Sequence, residues 1–136
     1  RVYALGRGVP VVPVPSHDAV ALGVLLADAL TGTDTPRFAV VTDARRREFA
    51  FSVYDGIDDD GLPVRIADAA LSPRDDVDDR LAELGAVRIE ATRVSAAMVA
   101  LVAARSLDAD RTLAGTEPLY LRSPDVVAAH APKRVS

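Results

Sequence analysis

The 136 residues, 49% of them hydrophobic and 26% charged, fit one ordinary globular domain and exclude a disordered chain. Without cysteine there is no disulfide framework, Cys-based zinc site, thiol nucleophile or iron–sulfur cluster, and a domain that buries roughly 65–70% of its unfolded surface needs none of these to fold. A net charge of −4 gives no global attraction to nucleic acid, and the longest apolar run, Ala19 to Ala27, is far short of the ~20 residues that span a bilayer.

Arg1 to Pro10 has no basic stretch, apolar core or small-residue cleavage site of a signal peptide, so a cytoplasmic location is expected. The missing initiator Met predicts a piece of a longer polypeptide. Gly6-x-Gly8 lacks the third glycine of a dinucleotide loop and precedes rather than follows a strand, so it reads as a helix stop. Val9 to Val14, β-branched and interrupted by two prolines, predicts a short edge strand. Ser16 reads as the N-cap of a helix over about 17–30, with Asp18 in its first turn and Gly32 past its end. Phe38 to Asp43 and Glu48 to Tyr54 predict a β-hairpin, and the Asp-rich turn 55–61 leads into a third strand near Val64 to Ala69.

Ser72-Pro73 signals the start of a second helix, closed by Gly85, and Ala86 to Glu90 a brief strand. Ser95 caps an apolar helix to about Leu107; Pro118 to Arg122 predicts a terminal strand, and a mobile tail follows Pro124. The order β-α-β-β-β-α-β-α-β implies an α/β layer with a mixed sheet.

Few residues offer chemistry. The two histidines, His17 and His130, are not spaced as a metal pair, and His17 is expected at the surface or in a capping role. No serine lies in a Gly-x-Ser-x-Gly setting, so no nucleophile–base arrangement is visible. Asp58 to Gly61 begins like a calcium loop but lacks the alternate ligands and closing Glu, and reads as a solvated turn. Arg45 to Arg47 form a hairpin tip that is either solvated or touches phosphate or an acidic partner; Asp43 and Glu48 offset two of the three charges. The helix from Ala19 to Leu30 is apolar nearly all round, with Asp28 its one polar side chain. One face would pack on a sheet, and the other needs cover from more of the same polypeptide or from a partner; Gly23 and Ala27 at i,i+4 spacing would admit a neighbouring helix closely. The helix after Ser95 is similar and reads as core.

Four segments resemble the TsaB (YeaZ-like) family, non-catalytic partners in threonylcarbamoyladenosine modification of tRNA. They are Leu5-Gly-Arg-Gly-Val-Pro-Val-Val with Ser16-His-Asp-Ala-Val-Ala, Val40-Val-Thr-Asp-Ala-Arg-Arg-Arg-Glu-Phe, Ala69-Ala-Leu-Ser-Pro, and Pro118-Leu-Tyr-Leu-Arg-Ser-Pro-Asp. The second and fourth are the specific ones, and together the four run in order over most of the chain. The opening Asp-Thr-Ser hairpin, the glycine-rich stretch before the first long helix and a Gly-Asp-Gly turn after Glu90 are departures from the family pattern.

The resemblance implies an actin-like ATPase and sugar kinase (ASKHA, RNase H-like) fold, partly represented. Residues 1–34 would be a remnant of the first domain, 35–122 the second α/β domain, and 123–136 a flexible tail. It implies a cytoplasmic scaffold rather than an enzyme, binding a TsaD-like catalytic paralogue or a second copy of itself, in an assembly with a TsaE-like ATPase. Contact with tRNA would be indirect, and no membrane, metal or cofactor of this chain alone is implied, while nucleotide at the partner interface stays open. Val20, Gly23, Val24 and Ala27 would face the partner, and Asp43, Arg45 and Glu48 would shape the second-domain hairpin; Tyr120 and Arg122 would serve packing and a structural ion pair. On this reading Val24→Asp abolishes heterodimerisation by burying an unpaired charge. The alternatives are a metal- or nucleotide-dependent enzyme of the same fold, peptidase- or kinase-like, and an RNA-binding module using Arg45 to Arg47.

Overall fold

The computed structural model describes residues 2–121, which form four strands and four helices. The first helix, α1 (Val2–Arg7), ends where Gly8 takes a left-handed φ of 64° and the amides of Gly8 and Val9 return to the carbonyls of Leu5 and Ala4. Gly8 is therefore the helix stop its sequence suggests. The segment 9–15 is not a strand: Pro10, Pro13 and Pro15 remove three backbone donors, and no strand among the described residues pairs with it. The helix α2 (Ser16–Thr31) follows, with Pro15 rather than Ser16 at the N-cap and no side-chain cap. Proline's fixed φ delivers the chain into the first turn, which makes Ser16 the first helical residue.

The strands β1 (Phe38–Ala44) and β2 (Glu48–Ile57) form the expected hairpin, closed at Ala44↔Glu48 around a turn in which Arg46 and Arg47 both have positive φ. β3 (Pro63–Pro73) zips onto β2 as far as Glu48↔Pro73. This pairing overrides the helix-start signal at Ser72-Pro73: both residues stay in the strand, and α3 (Val77–Glu83) begins only after a turn, with Asp76 at its N-cap. Proline is tolerated there because it ends the strand. After α3, β4 (Val87–Glu90) pairs parallel to β1, and α4 (Ala96–Asp108) starts where the Ser95 hydroxyl accepts the Met98 amide. Residues 118–121 are not a strand, and Arg122, His130 and the tail lie outside the described residues.

The sheet has the order β3-β2-β1-β4 and is mixed, antiparallel except for β1 with β4. Helices cover both faces, so the chain is an α/β domain. On one face Ala39, Val41, Phe51 and Val53 pack against Val77 and Leu81 of α3. On the other, Phe38, Val40 and Tyr54 pack against Ala21 and Leu25 of α2, and the Phe38 and Tyr54 rings stack 5.7 Å apart. The period-2 alternation of β1 and β2 sorts these two sets to opposite faces.

The second apolar side of α2 is covered by the same chain. Leu22 meets Leu62 and Val102 of α4, with Leu26, Met98 and Leu101 alongside. Gly23 makes this approach possible: a Cβ there would lie 3.6 Å from Met98 Cγ, ordinary contact for a methyl group but too close for a large side chain.

Candidate functional site

His17 and Asp18, in the first turn of α2, are turned inward. His17 is only 8% exposed, and its two ring nitrogens meet two hydroxyls from different strands: Nδ1 lies 2.9 Å from Ser52 Oγ and Nε2 3.0 Å from Thr42 Oγ1. The expectation of a surface or capping histidine is therefore wrong. His17 and Asp18 lie one turn before the fully buried Ala21 and Leu22 and so share their inward side of α2, whereas Ser16 stays exposed. Beside it the buried Asp18 accepts a 2.7 Å hydrogen bond from the Tyr54 hydroxyl, and Arg65 Nε stands 3.5 Å from the same oxygen.

Tyr54 donates to Asp18, and a neutral His17 donates through one ring nitrogen and accepts through the other, the tautomer setting which of Ser52 and Thr42 receives the proton. The result is a buried polar relay of Thr42, His17 and Ser52 beside the Tyr54–Asp18 pair, and no buried side-chain nitrogen or oxygen among the described residues lacks a partner. Burial, and then the charge of Arg65, holds the His17 pKa below its ordinary range and the ring neutral. Burial raises the Asp18 carboxyl above its usual range, partly opposed by the Tyr54 hydrogen bond and by Arg65. The Tyr54 phenol is driven far up by burial and by the Asp18 carboxylate, so it stays a donor.

Thr42 also lines a groove of about 460 Å³ outside the carboxyl ends of the parallel strands β1 and β4. In open α/β sheets this is the end where ligand crevices form. Its apolar lining is Val41, Phe49, Ala91 and Val94, and Asp43, Glu90, Thr92 and Arg93 join Thr42 as the polar part. Phe49 carries the guanidinium groups of Arg74 and Arg88 at 5.0 and 4.5 Å from its ring centroid. Arg74 pairs with Asp43 at 2.6 Å, and Arg88 bridges Asp78 and Glu90.

The residues named from the sequence fall in three places. Val20 and Val24 are half-buried beside the α2 face of the sheet, and Gly23 faces Met98 of α4; of the four, Ala27 alone is exposed. Asp43 lies at the groove, held by Arg74, while Arg45 is in the exposed turn and Glu48 opens β2 opposite Ala44. Tyr120 is 77% exposed. The Asp58 carboxylate is occupied by the backbone amides of Asp60 and Leu62 and by Arg111, which agrees with its reading as a turn. The described residues hold no cluster of three or more His, Cys, Asp or Glu suited to a metal ion.

The relay itself was missed. Its signal is the in-register placement of Ser52 opposite Val40 and of Thr42 opposite Ala50, which puts both hydroxyls on the same face as Phe38 and Tyr54 and calls for a polar partner above them. Compared with known protein families and with curated proteins, the chain matches none. No helix among the described residues is long and apolar enough to cross a membrane.

Proposed function

We propose that the chain is a non-catalytic scaffold of the TsaB-like kind, part of an actin-like ATPase fold, that binds a TsaD-like catalytic paralogue in tRNA threonylcarbamoyladenosine synthesis. The observation that supports this reading most is an apolar helix that none of the described residues buries. α1 buries none of its residues, and Val2, Tyr3 and Leu5 are 85%, 77% and 76% exposed. A six-residue helix has no stability of its own in water and needs a surface to pack against. Leu30, 88% exposed at the end of α2 near the exposed Ala27, adds a second apolar element. With the two sides of α2 packed on the sheet and on α4, these are the apolar surfaces a partner would cover.

Val24→Asp is consequently a poor probe, since it would place a charge beside Phe38 and Tyr54 as well. Leu5→Glu changes only the exposed helix. Light scattering during size exclusion should show a 1:1 complex when the full chain is mixed with the catalytic paralogue of the same source, weakened at least tenfold by Leu5→Glu with an unchanged circular dichroism spectrum. Independent elution of the two proteins would refute the scaffold reading.

A further inference from the structure

Arg37, Arg65, Arg74, Arg80, Arg88 and Arg111 are each held by a carboxylate. Arg45, Arg47 and Arg93 are not: all three are exposed and have no side-chain partner among the described residues. They share one end of the sheet. Arg45 and Arg47 belong to the turn between β1 and β2, and Arg93 follows β4, which leaves the sheet beside β1 where the Ala91 amide bonds the Val41 carbonyl. Arg93 lines the same groove as Asp43, two residues before Arg45. The carboxylates of this corner are already occupied, Asp43 by Arg74 and Glu90 by Arg88, and Glu48 is partnered as well. Asp75 and Asp76 follow β3, at the edge of the sheet opposite β4.

The turn is not shaped for ease of folding. Arg46 and Arg47 hold φ of 68° and 64°, the left-handed pair that hairpins normally fill with Asn-Gly, because a Cβ there crowds the backbone. Backbone strain of this kind gathers where side chains serve binding. The three guanidinium groups stand on two loops rather than converge in one pocket, which suits a row of charges better than a single anion. A protein interface is centred on apolar anchors, whereas beside these arginines Val94 is the one exposed large apolar residue among those described. We propose that Arg45, Arg47 and Arg93 form a contact for the phosphate backbone of a nucleic acid strand, bound by charge and not by sequence. The net charge of −4 confines the attraction to this corner, so only a few phosphates are engaged. The scaffold reading uses α1 and not this corner, so either can fail alone.

The test is fluorescence anisotropy of a labelled oligouridine of about 20 nucleotides titrated with the full chain. Binding should saturate at about 50 mM salt and weaken about 20-fold by about 200 mM, the logarithmic slope of about −2 expected for three phosphates of a single strand. Arg45→Ala and Arg93→Ala should each weaken binding at low salt and reduce that slope by about 0.7. Arg47→Gly fits the left-handed backbone, so it should hold or raise the melting temperature while weakening binding in the same way. Arg80→Ala, which removes the same charge from α3, should leave affinity and slope unchanged. Absence of saturable binding at low salt, or equal losses from Arg80→Ala and Arg93→Ala, would overturn the proposal. So would polyglutamate bound as tightly as the oligouridine, which would assign the corner to an acidic protein.

Discussion

The two faces of the sheet are built on different principles. The α3 face is dry: Ala39, Val41, Phe51 and Val53 meet Val77 and Leu81, and only shape and volume matter there. The α2 face mixes an equally apolar patch, Phe38, Val40, Ala21 and Leu25, with the relay of His17, Ser52, Tyr54 and Asp18. A dry face tolerates any well-packed replacement. A face carrying a fully paired polar chain tolerates only changes that keep each donor opposite its acceptor, so it fixes one placement of α2 on the sheet.

The largest effects should come from emptying either face. Phe38→Ala removes a fully buried ring stacked on Tyr54 and should cost about 3–5 kcal/mol in chemical denaturation; Leu81→Ala on the α3 side should cost about 2–5 kcal/mol. The faces should then part company under gentler changes. Leu81→Met, which keeps volume, should cost less than about 1.5 kcal/mol. Ser52→Ala deletes one atom yet strands the buried His17 Nδ1, and should cost about 1–3 kcal/mol by the same measurement. Equal tolerance on both faces would break the comparison.

Much of this fold is legible from local pattern. The hairpin 38–54 follows from its β-branched alternation, and α4 from Ser95 and the apolar period behind it. What eludes the pattern depends on distant chain. Ser72-Pro73 has every local mark of a helix start, but its fate is set by pairing with Glu48 and Phe49, strand residues far back in the sequence. The relay is hidden for the same reason: His17 meets Ser52 across 35 positions and Thr42 across 25, and no local window contains both ends of either bond. The site residues inferred by resemblance fall on α2 and the hairpin, whereas the groove joins the ends of two strands that become neighbours only when β4 docks on β1.

A smaller effect distinguishes the α2 face by pH. The His17 pKa is lowered in the folded protein, so as pH falls through about 6.5 the unfolded chain takes up the proton first, and stability declines until His17 itself charges in the folded state. Asp18 acts in the opposite sense, because its raised pKa lets the folded form bind a proton before the unfolded one. His17→Gln removes the first contribution alone. Between about pH 7.5 and 5.5 the wild type should lose stability relative to His17→Gln, read from paired denaturation curves; parallel curves would mean that His17 is not held neutral. The smallest effect belongs to the α2–α4 contact: Gly23→Ala should raise stability by about 0.5–1 kcal/mol, since its methyl group meets Met98 at ordinary distance and the helix interior loses a glycine. A fall in melting temperature would show that the two helices lie closer than this.

A neutral His17 held between two hydroxyls underlies the contrast between the two faces, and its nitrogen resonances report that state directly. A long-range ¹H–¹⁵N correlation spectrum of the full chain at neutral pH should show a single neutral tautomer, one ring nitrogen protonated and the other bare. Averaged nitrogen shifts of a ring exchanging between tautomers, or an imidazolium protonated at both nitrogens, would contradict it.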